Sequence, residues 1–410
     1  MPILLSSVHE NHVTPDSVII YRAYMEKIDE AAHETRLRIL AFSQCHINAE
    51  SNISIRTPDG RSYRAIPNPI EGKCPWGWAP NCTWNSFILD AHVQNVGGSY
   101  DRISISHGNR NVVLPAVKRD GIIYDLAICV PPLYWYTEWV RFIEFVEIWK
   151  TLGATHFYVY YQSVSKLLYS ILREYQKSGV VSLIDWIELP KSTEVDPNKS
   201  LYRLGHSLAH NDCLMRSRAK FVALVDIDEI IVPSTRNQSL LDFLKASLKT
   251  HPLAGSFLFK HARLRFPAAK IKPETDLAHL DFRWLLSATA DLKNGPAKVI
   301  FMSERADVVL THRVRFHRKP FSEVENWFNE DLRREVVRSY NKIIGNIKDP
   351  GLLKTSLYSK SPHVLRQCID NWKNRSGCKT PFRSCFSSLS SMEEWVYSNV
   401  SNSRNEYYIL

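Results

Sequence analysis

Three acidic residues follow an apolar run within residues 220–233, KFVALVDIDEIIVP. They are Asp226, Asp228 and Glu229. Two carboxylates two positions apart can converge on one hard divalent cation while Ile227, between them, turns back into the core. A Mg²⁺ or Mn²⁺ ion held in this way completes its oxygen shell with waters and substrate phosphates, and it stabilises the charge that develops on a departing diphosphate. The spacing therefore favours a metal site that serves phosphate chemistry.

An isolated Asp-x-Asp more often marks a turn or a helix cap, so its position in the fold matters. From about Tyr124 the strand-like runs YDLAICV, HFYVYY, VVSLIDWIEL and KFVALV alternate with helical patterns. This alternation predicts right-handed crossovers and an α/β domain with a doubly wound, mainly parallel sheet. Ligands of such sheets bind beyond the carboxyl ends of the strands, which is where KFVALV delivers Asp226 and Asp228.

The 410 residues predict more than one domain. Residues 1–120 contain short alternating runs such as NISIRT, SFILDAHV and RISISH between Gly, Pro and Asn clusters, a pattern typical of an accessory β-rich region. Residues 121–345 hold the predicted catalytic domain. Residues 346–410 form a cysteine-containing extension for which no architecture is predicted.

Several motifs in order resemble one known family over roughly residues 124–316, about half of the chain. They are LAICVPPLYWYTEWVRFIEFVEIWKTLGATHFYVYYQS, SGVVSLIDWIELP and HNDCLMRSRAKFVALVDIDEIIVP, and they closely resemble glycosyltransferase family 92 of metazoans and plants. The resemblance implies a GT-A fold with a Rossmann-like nucleotide-binding sheet. It further implies metal-dependent, inverting transfer of a hexose, galactose above all, from a UDP-sugar to a glycan acceptor on a glycoprotein or polysaccharide.

The resemblance also assigns site residues. Asp226 and Asp228 match the metal-binding DxD motif, and Asp226 also faces the nucleotide. Further nucleotide contacts are implied at the end of the first strand and in the NDC helix, at Cys129, Val130, Pro131, Asn211 and Asp212. Lys298 either reaches the diphosphate as a point charge or is an ordinary solvated lysine.

The implied third metal ligand is His312, in the segment AKVIFMSERADVVLTHRV. A histidine in such a strand is more often packed or hydrogen-bonded than a ligand. The sequence also departs from the family pattern, because the proline expected near residues 303–305 is absent and a second histidine, His317, competes for the role.

An inverting transfer needs a carboxylate base beside the sugar carbon. Asp281 and Asp291 lie where that base is expected, although a carboxylate in such a stretch is more often a solvated loop residue. Phe282 and Trp284 could stack on acceptor sugars or pack in the core.

The cysteines and sequons favour an oxidising compartment. Eight cysteines show no zinc-type spacing, and four of them lie in Pro/Gly/Ser-rich loops where disulfides are plausible: Cys74, Cys82, Cys378 and Cys385. The sequence does not indicate which cysteines pair. Cys129 and Cys213 are predicted as buried thiols. Six Asn-x-Ser/Thr sequons occur, at Asn52, Asn81, Asn198, Asn237, Asn374 and Asn399. The resemblance implies the Golgi lumen and a membrane anchor, but no apolar span of roughly 20 residues is present in this sequence.

Two other classes of function share part of this sequence pattern. A non-catalytic carbohydrate- or nucleotide-binding relative would keep the fold, but the intact DxD favours an enzyme. A metal-dependent phosphohydrolase or nuclease would need carboxylates at several strand ends, whereas these ends read Pro131, Ser163 and Pro190. The net charge of +10 (52 basic minus 42 acidic residues) is spread along the chain without an aromatic-interleaved basic block, so no nucleic-acid partner is predicted.

Overall fold

The computed structural model of the chain describes residues 12–29, 34–94, 100–233, 238–260, 263–265, 280–287, 289–291, 297–310, 313–314, 330–349, 351–353, 360–371, 378, 385–392, 395–398 and 407–410. In these ranges the chain forms a β-barrel, an α/β domain and short C-terminal segments that pack on both.

The N-terminal region is a barrel of seven strands. They are β1 (Ile19–Asp29), β2 (Glu34–Gln44), β3 (Ile53–Arg56), β4 (Ser62–Pro69), β5 (Trp84–Gln94), β6 (Arg102–His107) and β7 (Arg110–Lys118). Their order is β2-β5-β4-β3-β6-β7-β1, and pairing of β1 with β2 closes the barrel. Only the β1–β7 pair is parallel. Alternate residues such as Ile53, Ile55, Ile103 and Ile105 fill the interior, so the predicted β-rich region is confirmed.

The α/β domain alternates strands and helices as the sequence predicts. Its elements are β8 (Tyr124–Leu133), α1 (Trp139–Thr151), β9 (His156–Tyr161), β10 (Ser163–Ser165), α2 (Lys166–Lys177), β11 (Val181–Asp185), α3 (His206–Arg216), β12 (Ala219–Leu224), α4 (Leu240–Thr250) and β13 (Ser256–Phe259), with β14 (Arg263–Arg265), β15 (Thr289–Asp291) and β16 (Lys298–Met302). The main sheet has the order β11-β9-β8-β12-β16-β13. Its first four strands are parallel. Strand β16 runs antiparallel to both of its neighbours, β12 and β13, so β13 has the same direction as the first four strands.

The strand order reverses between β8 and β12. Helices α1 and α2 cover one face of the sheet, and α3 covers the other. A crevice that can accept a ligand opens at the carboxyl ends of the strands at such a switch point. The Asp-x-Asp motif lies at this edge, two residues after β12.

The remaining described elements belong mostly to the C-terminal third. They are β17 (Val309–Leu310), β18 (Arg313–Val314), α5 (Glu330–Gly345), α6 (Ser361–Asn371), α7 (Phe386–Leu389), β19 (Trp395–Tyr397) and β20 (Tyr408–Ile409). Strand β19 pairs with β10, and β20 pairs with β1 of the barrel. The C-terminal extension therefore runs back over both larger units.

Local sequence signals account for several helix ends. Ser239 opens the helical pattern SLLDFLKASLK, so its residue type and position predict the N-cap of α4. Its side chain accepts a hydrogen bond from the Asp242 backbone N–H at 3.1 Å, which confirms the cap. Ser165 caps α2 in the same way through Leu168. Beyond α1, Gly153 has a φ of 104°, the left-handed conformation that favours glycine at a helix end.

The barrel and the α/β domain share one apolar core. Tyr24 and Phe42 of the barrel are buried together with Leu208 of α3 and Trp186, which follows β11. The ring centroids of Phe42 and Trp186 lie 6.2 Å apart in an edge-to-face arrangement. The barrel is therefore packed against the α/β domain as part of its core.

All eight cysteines form disulfides. The pairs are Cys45–Cys74, Cys82–Cys378, Cys129–Cys213 and Cys368–Cys385. The prediction that Cys129 and Cys213 are free buried thiols is wrong, because β8 and α3 bring them within bonding distance. No helix among the described residues combines the length and the apolar character needed to cross a bilayer.

Candidate functional site at the carboxyl edge of the sheet

The Asp-x-Asp motif forms a tight turn after β12. The Glu229 backbone N–H donates to the Asp226 carbonyl oxygen at 3.0 Å. Ile227 is 7% exposed and packs in the core, whereas Asp226 and Asp228 are exposed. The turn thus presents two carboxylates at the ligand edge while its apolar residue anchors it, as the spacing predicted.

Lys298 supplies a cation to this turn. It is the first residue of β16, the antiparallel neighbour of β12. Its Nζ lies 3.2 Å from Asp226 Oδ2 and 2.6 Å from Glu229 Oε2, and its side chain is only 12% exposed. Glu229 Oε2 also accepts a hydrogen bond from the Asp226 backbone N–H at 2.9 Å. Lys298 is therefore an ion-paired residue of the site and not a solvated surface lysine.

The three charges shift one another's pKa values. Burial raises the pKa of Asp226, but the positive charge of the Lys298 ammonium lowers that pKa by a larger amount. The pKa of Asp226 therefore lies below its ordinary value. Burial and the negative charge of Asp226 raise the pKa of Glu229 despite the bond from Lys298. Burial lowers the pKa of Lys298, and the two carboxylates raise it by more. Asp226 and Lys298 are therefore charged at neutral pH.

The donor set is suited to a hard divalent cation. None of the hydrogen bonds or ion pairs among the described residues uses the Asp228 carboxylate, and Asp226 directs only Oδ2 at Lys298. Carboxylate oxygens are the ligands that Mg²⁺ and Mn²⁺ prefer. In the part of the chain that the structure describes, no three His, Cys, Asp or Glu side chains form a complete metal cage. The predicted third ligand, His312, and its competitor, His317, lie outside the described residues.

Two histidines that the sequence analysis missed lie beside the motif. His206 and His210 lie one turn apart at the start of α3, and both interact electrostatically with Asp226. Burial lowers the pKa of His206 to about 4, with Arg203 adding to the effect and Asp226 opposing it. The buried Nε2 of His206 has no hydrogen-bond partner among the described residues. Their i, i+4 spacing, which places both on one helix face, was the available signal.

The side chains predicted to contact a nucleotide are buried and contact other groups of the protein. Cys129 is completely buried in its disulfide, and Val130 and Pro131 are also buried. The Asn211 amide donates to the Val309 carbonyl oxygen at 2.7 Å and accepts from the Val309 N–H at 3.0 Å. Asp212 accepts hydrogen bonds from Tyr24, Tyr160 and Arg216. These side chains hold α3 and β8 in place, and the structure does not present them to a ligand.

The candidate base residues occupy different positions. Asp281 is half exposed and forms an ion pair with Arg283 at 2.8 Å. Asp291 lies in β15, where its backbone pairs with Arg263; its side chain is outside the described set. Phe282 is completely buried, with its ring centroid 5.1 Å from that of Tyr340, so it belongs to the core.

Glu144, a carboxylate on α1, was not predicted from the sequence as a residue of this site. The Trp284 Nε1–H donates to Glu144 Oε1 at 2.5 Å. Burial raises the pKa of Glu144 to about 7, although the bond from Trp284 and the charge of Arg141 oppose the rise. Asp228 and Glu144 both raise the pKa of Tyr136, so α1 and the DxD turn border the same space.

A small aromatic cavity opens near the same edge, with an enclosed volume of about 30 Å³. Gln162 and Trp186, which follow β9 and β11, form part of its wall. Its remaining lining comes from the barrel, the segment before α3 and the C-terminal segment, and includes Phe42, Tyr134, Leu204 and Tyr407. The cavity lies beyond the carboxyl ends of parallel strands, where ligands of such sheets bind.

Comparisons with known proteins support the motif resemblance. Residues 124–374 match the model of glycosyltransferase family 92. The Caenorhabditis elegans glycosyltransferase family 92 protein F13G3.3 is 28% identical over 172 residues, which cover 40% of this chain and 34% of the worm protein. The C. elegans family 92 protein ZK381.2 is 23% identical over 225 residues, covering 53% and 44% of the two chains. The chain thus spans less than half the length of these relatives.

Among solved structures, a Staphylococcus aureus TarS fragment (residues 1–349) matches 44% of this chain and 47% of its own at 15% identity, with a TM-score of 0.24. The family match covers 251 residues (124 to 374) and therefore more than half of the 410 residues. The chain belongs to glycosyltransferase family 92.

Proposed function

We propose that the chain is a metal-dependent hexosyltransferase that transfers a hexose from a UDP-sugar to a glycan acceptor, with galactose as the proposed sugar. The transfer inverts the configuration at the reacting sugar carbon. The observation that carries this proposal is the position of Asp226 and Asp228, exposed at the switch point of the sheet in a chain of family 92. The sheet order and this edge also support the GT-A type of nucleotide-binding domain.

Each residue of the donor site has a proposed role. Asp228 and the free oxygen of Asp226 would hold Mn²⁺ or Mg²⁺, with His312 as the proposed third ligand. Such an ion, when bound, offsets the negative charge of the diphosphate leaving group. Lys298 fixes the other oxygen of Asp226 and keeps a positive charge at the same edge. The aromatic cavity near the edge supplies a place for the uracil ring, and the backbone at the end of β8 remains a candidate contact.

The transfer requires the acceptor hydroxyl to lose a proton as its oxygen bonds to the sugar carbon and the bond to the diphosphate breaks. Asp281 is our candidate for the base among the residues with described side chains, and Asp291 remains a second candidate. Trp284, held by Glu144, lies three residues from Asp281 and offers an indole to an acceptor sugar.

Four disulfides support folding in an oxidising compartment. We propose the lumen of the Golgi or another part of the secretory pathway, with membrane association as in the family. This part of the proposal is independent of the donor sugar.

Thermal shift with UDP tests the donor site. We expect UDP to raise the Tm of the wild type in Mn²⁺ but not in EDTA, and we expect Asp228→Asn to abolish the rise. Asp370→Asn, an exposed change on α6, is the matched control and should respond like the wild type. If UDP shifts the Tm under none of these conditions, the donor site is absent. UDP release from a panel of UDP-sugars then identifies the sugar, and binding without turnover would indicate a non-catalytic relative.

A further inference from the structure

One exposed tryptophan stands on a rigid loop of the barrel. Trp78 is 72% exposed, whereas Trp76, two residues earlier, is 5% exposed. Their loop, CPWGWAPNC, is held at both ends by disulfides, Cys74 to Cys45 and Cys82 to Cys378. Large aromatic side chains dominate binding energetics, and an exposed one on a fixed backbone loses little conformational entropy when it binds.

The indole of Trp78 is backed by other rings. Its Nε1–H donates to the Tyr202 hydroxyl at 3.4 Å. Trp76 packs against Tyr202 with ring centroids 4.0 Å apart, and the Trp76 and Trp78 rings are inclined by only 31°. The Trp76 Nε1–H is bonded to the Glu71 carbonyl oxygen, so Trp76 is fixed as well. The result is a supported aromatic surface whose outer ring faces solvent.

Polar groups surround this surface. Lys73 and Thr83 are exposed at the two ends of this loop, and the exposed Arg203 lies over the Tyr202 ring at 5.4 Å. A sugar ring has an apolar face that stacks on an aromatic ring and a rim of hydroxyls that bind such polar groups. One indole with a polar border fits a glycan better than an apolar protein partner, whose docking surface would be a larger continuous patch.

The surface is connected to the candidate active site. Tyr202 and Arg203 lie in the turn that leads into α3, and the charges of both Arg203 and Asp226 act on His206 at the start of that helix. Leu204, the next residue, lines the aromatic cavity. We propose that Trp78, backed by Trp76 and Tyr202, forms an acceptor-glycan binding platform that extends the site onto the barrel. This inference rests on the proposed transfer to a glycan.

Glycan-array binding tests the platform. We would compare the wild type with Trp78→Ala and Trp78→Phe on an array of defined N-glycans, O-glycans and polysaccharide fragments. Leu253→Ala, which removes an apolar side chain that is 89% exposed between α4 and β13, is the matched control. Each protein is also made with Asn81→Gln, so that a glycan on the chain's own sequon does not cover the indole.

We expect the wild type and Leu253→Ala to bind the same glycans, Trp78→Ala to lose about tenfold in affinity, and Trp78→Phe to retain most of it. Equal binding by Trp78→Ala and the wild type would overturn the proposal, as would a wild type that binds UDP but no glycan. Trp78-dependent binding to phosphatidylserine vesicles in place of glycans would also overturn it. The UDP thermal shift of Trp78→Ala should be unchanged, so a failed donor site and a failed platform give different results.

Discussion

The hydroxyl of Tyr24, on strand β1 of the barrel, donates a hydrogen bond to the carboxylate of Asp212, on helix α3 of the α/β domain. Tyr160 donates to the same carboxylate at 2.6 Å, and Arg216 forms an ion pair with it at 2.8 Å. Asp212 is completely buried. The barrel therefore helps to fix the helix whose first turn lies beside the DxD motif.

We expect Asp212→Asn to destabilise the protein by about 3–5 kcal/mol, because it leaves Arg216 buried without its counter-charge. Tyr24→Phe removes one hydrogen bond to the carboxylate and should cost about 1 kcal/mol. Urea unfolding at pH 7 measures both. Equal costs for the two variants would mean that the charge of Asp212 contributes nothing.

The Asp212 carboxylate also makes the stability of the protein depend on pH. Burial raises the pKa of Asp212, but Arg216, Arg22 and the two tyrosines lower it more, so its folded pKa lies below its ordinary value. A lowered carboxyl pKa contributes stability above the unfolded pKa, roughly 4, and this stability is lost as the pH falls through the folded pKa. The wild type should therefore lose stability below about pH 4 more steeply than Asp212→Asn in urea titrations.

Gly205 should not tolerate a side chain. Its φ is 75°, and an added Cβ would lie 2.7 Å from the Phe42 ring of the barrel. Gly205→Ala should therefore cost about 2–4 kcal/mol, from backbone strain together with overpacking. Gly179→Ala is the matched control, since its φ is 76° and nothing lies within 4 Å of the added Cβ. Similar Tm values for the two variants would contradict the contact with Phe42.

Glu144 should make the protein less stable as the pH rises. Because burial raises its pKa from 4.5 to about 7, its stabilising contribution is complete below pH 4.5 and is lost as the pH rises through 7. The loss is at most about 3 kcal/mol. Glu144→Gln keeps an oxygen for Trp284 and should be more stable than the wild type at pH 8, with the gap closing at pH 4.5. A gap that does not change with pH in urea unfolding would refute this assignment.

Lys298→Met should weaken the DxD turn. It leaves Glu229 and Asp226 side by side without their cation, at an expected cost of about 1–2 kcal/mol, reduced by the solvent exposure of Asp226. Added Mn²⁺ can then replace the ammonium, so its effect on Tm should be larger in the variant than in the wild type. Lys245→Met, which breaks the exposed pair with Asp125, is the control and should show neither effect.

The described sequons should differ in glycan occupancy. Asn52 and Asn81 are exposed, whereas the Asn198 amide accepts from the Leu189 N–H at 2.8 Å and donates to the Leu189 carbonyl oxygen at 2.9 Å. A glycan at Asn198 would disrupt this pairing. Peptide mapping of protein secreted from cultured cells should find Asn52 modified and Asn198 bare. Full occupancy at Asn198 would show that this pairing does not form.

Local patterns were sufficient for part of the site. The apolar run before Asp226 and the alternation of acidic and apolar residues in the turn predicted both the strand and the inward position of Ile227. Ser239 was recognisable as a cap because a serine side chain can bond to the N–H three residues ahead. These signals depend on neighbours in sequence, so the chain alone carries them.

Long-range pairing was beyond the sequence. Lys298 is 72 residues from Asp226, and Cys129 meets Cys213 across 84 residues, so only strand and helix packing brings them together. The residue types of Asn211 and Asp212 fit a ligand site and a buried hydrogen-bond network equally well. In the structure both side chains are buried, so they belong to the hydrogen-bond network. Closure of the barrel by β1 and β2, and the position of Trp78 beside α3, likewise depend on contacts between distant segments. The sequence by itself determined the elements and the acidic turn, while the tertiary structure decided which partners surround that turn, because side-chain burial and charge pairing exist only once distant strands are packed.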